Sequence, residues 1–94
     1  MSKMAATIVM AQLPNPATKK NITMVCEGVK RSLDIYMDQT GICIQVLSLY
    51  PDEKRCSING RFLFQKKKDY DQFIKSLTNN KNEVLSYFAY EVIE

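Results

Sequence analysis

The side chains in this sequence that could do chemistry are cations and phenols, not nucleophiles or metal ligands. Histidine is absent, and the three cysteines, Cys26, Cys43 and Cys56, have no C-x-x-C spacing. Without imidazole there is no Ser-His or Cys-His pair, no zinc-type ligand set and no ready general base near neutral pH. The chain is therefore expected to be a non-enzyme, with no catalytic residue, no metal and no cofactor. Thirteen Lys and Arg stand against ten Asp and Glu, a net charge of +3, with five tyrosines among them. That balance permits a nucleic acid or an anionic surface as partner and demands neither. Lysine and arginine track phosphates while aromatic faces stack on unpaired bases, and together they hold a single strand without sequence preference.

The elements that must position these groups are read from hydrophobic periodicity. From Lys19 onward the period is two: Ile22, Met24 and Cys26 alternate with Asn21, Thr23 and Val25, and after Glu27-Gly28 Leu33, Ile35 and Met37 alternate with Ser32, Asp34 and Tyr36. Asp38-Gln39-Thr40-Gly41 reads as a turn that returns the chain into Ile42 to Tyr50, the most strand-like segment present. Pro51-Asp52-Glu53-Lys54 closes that strand, and Arg55 to Phe64 forms the next, with Gly60 marking a bulge or a close approach by another backbone. These are read as four half-buried antiparallel strands. Their outward parity carries Lys19, Tyr36, Gln45, Leu47, Arg55, Ser57, Asn59 and Arg61, with Lys20, Lys30, Arg31, Tyr50 and Lys54 in adjoining loops or strand ends. Tyr36, Arg55 and Arg61 are thus expected on one polar face.

The last third, from Lys67 to Ile93, is read as one long helix. Tyr70, Phe73, Ile74, Leu77, Val84, Leu85 and Phe88 fall within an arc of roughly 120°, and the stripe keeps its phase through Thr78-Asn79-Asn80-Lys81-Asn82. A rival reading lets Ser86 to Val92, rich in aromatic and β-branched residues, end as a strand. A helix of about 25 residues would be near 38 Å long, more than the small domain before it can cover. Its surplus apolar surface points to a homodimer through Leu77, Val84, Leu85 and Phe88. At the start of this helix Lys66-Lys67-Lys68 face the positive end of the macrodipole, each costing a few tenths of a kcal/mol, roughly. Asp69 and Asp71 offset part of that cost, and an anionic partner for Lys66 and Lys67 explains the rest. The fold class expected is α+β: a four-stranded antiparallel sheet followed by a long C-terminal helix, one sheet face covered and one open.

Residues 1–18 are read as an N-terminal arm and 19–94 as the binding domain. Met4 to Ala11 superficially copies a signal peptide, but it is at the short limit for one and too short to span a bilayer. Thr7 to Met10 could add an edge strand, and Pro14 and Pro16 stiffen the connection to Lys19. The odd cysteine count favours a reducing compartment, cytoplasmic or, in a eukaryote, nuclear.

The order of parts resembles the single-stranded-DNA-binding core of the transcriptional coactivator family called positive cofactor four, over Arg31 to Leu77. The matching residues are Leu33-Asp34-Ile35-Tyr36, Ile42-Cys43-Ile44-Gln45-Val46, Tyr50 with Pro51-Asp52-Glu53, Lys54-Arg55 through Gly60-Arg61, and Tyr70 to Leu77. The family's arginine falls on Leu47, its tryptophan on Tyr50, and its Asn-Pro helix opening on Gln65 and the lysines. The resemblance implies four strands, a dimerising C-terminal helix, and single strands bound on the exposed sheet by Tyr36, Tyr50, Arg55, Arg61 and Lys54. The expected function is a dimeric, largely sequence-independent single-stranded-DNA-binding protein in replication, recombination or transcription, with proteins of those pathways as further partners and no membrane. The alternatives are a protein-interaction module docking on another factor, supported by the outward Leu47 and Leu49, and RNA binding on the same sheet.

Overall fold

The computed structural model describes residues 3–79, 82–88 and 90–93. Its longest helix lies where the sequence reads as two strands. Lys19–Thr40 (α1) is a single helix of 22 residues, begun by Thr18, whose hydroxyl accepts the Asn21 N–H (3.2 Å), and ended by Gly41 in the left-handed region. Ile22, Val25, Cys26, Val29, Leu33, Tyr36 and Met37 make one face at spacings of three and four, and that face packs into the core. Met24 and Ile35, which complete the period-two pattern, are 60% and 40% exposed. Two apolar residues outside the helical stripe thus imitate a strand's alternation, and the expectation of strands over Lys19 to Met37 is corrected.

The strands are Met4–Gln12 (β1), Ile44–Asp52 (β2), Ser57–Phe64 (β3) and Glu91–Val92 (β4), with Lys67–Thr78 (α2) and the single turn Glu83–Ser86 (α3) between the last two. Their order across the sheet is β2-β3-β1-β4, every neighbouring pair antiparallel. A βαββαβ chain in this order is the split βαβ arrangement called ferredoxin-like. The fold is therefore α+β with a four-stranded antiparallel sheet, as expected, but built differently. The N-terminal segment read as an arm supplies an inner strand, β1, whose Ala6, Ile8 and Met10 are fully buried. The plan implied by the family resemblance is not followed, since Leu33-Asp34-Ile35-Tyr36 lies in α1 and not in a first strand.

The long C-terminal helix is likewise corrected. α2 stops at Thr78, α3 restarts at the Asn82 N-cap, and of the Ser86 to Val92 run that the rival reading gave to a strand only Glu91 and Val92 form one, while Ser86 closes α3. Asn80 and Lys81, where the helix was expected to bend, and Ala89 in the strand-like run lie outside the described residues. Leu77 and Leu85 are buried in the chain's own core, and Phe88 packs against it, so the stripe expected to pair two chains is spent, at these three residues, within one. Val84 is half-buried.

The core lies between the helices and one sheet face. Phe73 of α2 sits at its centre, with ring centroids 5.4 Å from Tyr36, 5.7 Å from Phe64 and 6.2 Å from Phe62. No described helix is long and apolar enough to cross a membrane.

Candidate nucleic-acid interface

The pairing register sorts the strands into two faces. Ile44, Val46 and Leu49 of β2, Ile58, Gly60, Phe62 and Phe64 of β3, and Ala6 and Ile8 of β1 pair with one another on the helix side. On the other side, Tyr50, Asn59, Val9 and Glu91 form one row across β2, β3, β1 and β4. Ser48, Arg61 and Thr7 form the next, and Asp52, Ser57 and Gln12 a third nearer the β2–β3 turn. Leu47 decides this. It is an extra residue in β2 against β3, and the bulge reverses the strand's parity beyond it, turning Leu49 inward and Tyr50 outward.

A polar network organises the open face. Asp52 Oδ1 accepts the backbone N–H groups of Lys54 (3.1 Å) and Arg55 (3.3 Å), which closes the turn. Asp52 Oδ2 accepts from Asn59 Nδ2 (3.0 Å), and Ser57 Oγ donates to Asn59 Oδ1 (2.6 Å). The Arg55 side chain reaches from the turn to Glu91 on the far edge, with Nη1 to Oε2 at 2.6 Å and Nε to Asp52 Oδ2 at 3.8 Å. Glu91 stands in register with Val9 and Asn59, and both of those residues are buried although they lie on the face no helix covers. Arg55 and Glu91 are each about half exposed, so the pair contributes little stability, at most about 1 kcal/mol. Arg61 Nη1 donates to Thr7 Oγ1 (3.0 Å), which ties the guanidinium to the neighbouring strand through one of its five N–H donors. Tyr50, 38% exposed, is a diagonal neighbour of Arg61 on the adjacent strand, within reach of one ligand unit.

Of the residues expected at the site, Tyr50, Arg55 and Arg61 are on this face and Lys54 is in the turn at its rim. Lys19, Lys20, Lys30 and Arg31 lie on α1, exposed and on the helix side of the sheet. Lys66 and Lys67 open α2, where Lys67 Nζ pairs with Asp71 Oδ2 at 3.1 Å. Tyr36 is corrected outright: it is fully buried beneath the helices, on the opposite side of the sheet from Arg55 and Arg61. Glu91 as the partner of Arg55 has no signal in one dimension, because helical periodicity places that residue on a helix.

Tyr36 has a chemistry of its own. Burial raises its phenol above the ordinary tyrosine value, the nearby Ser76 hydroxyl pulls the other way, and the Asp69 charge adds to the rise. A raised acid leaves the fold's stability intact below the unfolded value, about 10, and drains it as pH climbs through the folded value. Unfolding midpoints followed from pH 8 to 11.5 are expected to fall above pH 10, and Tyr36→Phe is expected to remove that part of the fall. An unchanged alkaline limb in the variant would contradict a buried phenol.

Compared with known protein families, characterised proteins and solved structures, the chain finds no match.

Proposed function

We propose that this chain binds single-stranded nucleic acid, DNA in the first instance, across the open face of its sheet and without sequence preference. The observation that supports the reading is the exposed Tyr50 ring beside the Arg61 guanidinium on a face no helix covers. A base stacks on Tyr50, the adjoining phosphate takes the remaining donors of Arg61, and Gln45 and Ser48 on the same face supply neutral hydrogen bonds. Arg55 is a second cation held in reserve, because Glu91 and Asp52 already neutralise it. With two cations and two carboxylates on the face, affinity is modest. One chain carries the whole surface, so a homodimer is not required. Replication, recombination or transcription in a reducing compartment supplies the single strands such a protein would hold.

The test is fluorescence anisotropy with a labelled oligo-dT and its duplex at two salt concentrations. Binding to the single strand is expected to be about tenfold tighter, with log affinity falling by about 0.7 per phosphate contact for each decade of salt. Tyr50→Ala is expected to cost about 1–3 kcal/mol of that affinity. Glu91→Ala is expected to tighten binding by releasing Arg55, an effect opposite in sign to any loss of structure. Stacking alone does not register the 2′-hydroxyl, so competition with oligo-U is the measurement that shows whether the site takes DNA in preference to RNA.

A second reading rests on the outer edge of β2. It runs nine residues with no strand beyond it among the described residues, and Leu47 projects from it 45% exposed. Such an edge accepts an added peptide strand. Equal affinity for oligo-dT and duplex at low salt would move the function there.

A further inference from the structure

On the other side of the molecule a cleft of about 510 Å³ opens between the C-terminal half of α1, α2 and the start of α3, a size suited to a small ligand. Lys68, Gln72 and Lys75 line it from α2, at spacings of four and three that place them on one stripe of the helix. Among the described residues none of these three side chains has a bonding partner, whereas Asp71 on the same rim is already neutralised by Lys67. The other hydroxyls and amides of the wall are engaged. Thr40 Oγ1 donates to Tyr36 O (2.8 Å), Ser76 Oγ to Gln72 O (3.0 Å), and Asn82 Nδ2 to Gln39 Oε1 (2.8 Å).

The Tyr36 hydroxyl is different. Tyr36 is fully buried at the base of this cleft, and its OH has no hydrogen-bond partner among the described residues. The Ser76 hydroxyl lies near enough to pull the phenol's pKa down, and turns its own proton to Gln72 O. A buried donor without an acceptor is costly to keep, and native proteins rarely do so without a use. The lysines pose the same question from the solvent side. Lys66-Lys67-Lys68 sit at the positive end of α2, where Lys66 provides no side-chain cap, an arrangement that opposes the helix dipole unless an anion shares the site.

We propose that this cleft binds the phosphate group of a small molecule, held between the Lys68 and Lys75 ammonium groups and Gln72, with a phosphate oxygen accepting from the Tyr36 hydroxyl. Lysine serves as a point-charge phosphate ligand, and a buried phenol adds a neutral donor that stays protonated at physiological pH. The site is separate from the open sheet face and does not depend on what that face binds.

The experiment is an NMR titration of the full chain with inorganic phosphate and, in a second arm, ribose 5-phosphate, at constant ionic strength. Saturable amide shifts are expected at Thr40, Lys68, Gln72, Lys75 and Asn82. Tighter binding of ribose 5-phosphate assigns the cleft to a phosphate ester, and equal or weaker binding assigns it to the free ion. The double variant Lys68→Ala with Lys75→Ala is expected to lose at least about tenfold in affinity, because two of the ligand's charged contacts go. Tyr36→Phe, which keeps the buried ring, is expected to lose about threefold or more, in line with one neutral hydrogen bond. Non-saturating shifts spread over Lys19, Lys20, Lys66 and Lys67, or an unchanged affinity in the double variant, would overturn the proposal.

Discussion

Phe73→Ala is expected to lower the unfolding free energy by about 3–5 kcal/mol, the ordinary cost of removing a buried aromatic ring. Phe73 is fully buried and meets the rings of Tyr36 on α1 and of Phe62 and Phe64 on β3. One side chain of α2 therefore ties together the two elements that the sheet's hydrogen bonds do not join. Edge-on aromatic pairs contribute about 0.5–1.5 kcal/mol each beyond the area they bury, so the upper end of the range is the better expectation. A domain of 94 residues has a total stability of roughly 5–14 kcal/mol, and the loss is a large share of it. Urea titration followed by circular dichroism measures this directly. A loss under about 1 kcal/mol would mean that the ring is not the junction of the core.

The second large effect is expected at Gly60. A Cβ built there would run into the Cζ and Cε2 atoms of Phe62 and meet Leu49 Cδ2 at 3.0 Å. Its φ is not in the left-handed region, so the need for glycine is spatial. Gly60 lies on the helix face, and the Phe62 ring folds back over the space a side chain would fill. Two effects compete in Gly60→Ala. Alanine reduces the conformational entropy lost on folding, a gain of about 0.5–1 kcal/mol. Overpacking a filled core costs about 1–3 kcal/mol, and Phe62, with no solvent-exposed surface, cannot swing aside. Overpacking wins, and a net loss of about 1–2 kcal/mol is expected, near 4–8 °C in Tm for each kcal/mol at this size. Gly60→Ala with Phe62→Leu is expected to recover part of it. A variant as stable as the parent, or more so, would show that the ring has another place to go.

Both effects lie on the helix side of the sheet, while the proposed strand-binding residues lie on the other. Variants of Tyr50, Arg61 and Glu91 are thus expected to change binding with little change in unfolding. Tyr36 joins the core to the phosphate cleft, so its phenylalanine variant is read for both stability and affinity. Removing an orphan hydroxyl while keeping the ring leaves the free chain no less stable.

Much of this molecule is legible in its sequence where the determining contacts are local. The β2–β3 hairpin, the start of α2 near Lys67 and its stripe of Tyr70, Phe73, Ile74 and Leu77 all follow from neighbours a few residues apart, whereas Gly60 is approached by the Phe62 and Leu49 side chains and not, as its place in the strand suggests, by a backbone. So does the shared outward parity of Ser57, Asn59 and Arg61, since a strand alternates whatever its partner. The absence of histidine is as plain in one dimension as in three.

Tertiary structure decided the rest. Residues 22–37 carry apolar groups at both helical and strand spacing, and only the core's choice of Val29, Leu33 and Tyr36 over Met24 and Ile35 makes them a helix. Met4–Gln12 reads as an arm until β3 and β4, about 50 and 80 residues further on, close around it. The turn of Tyr50 onto the open face depends on a single extra residue at Leu47, and β2 has no glycine to mark that bulge. The bridge from Arg55 to Glu91 spans 36 positions. Local composition selects helix, strand or turn one segment at a time; which surfaces end up facing each other is settled only when distant segments bury their apolar faces together.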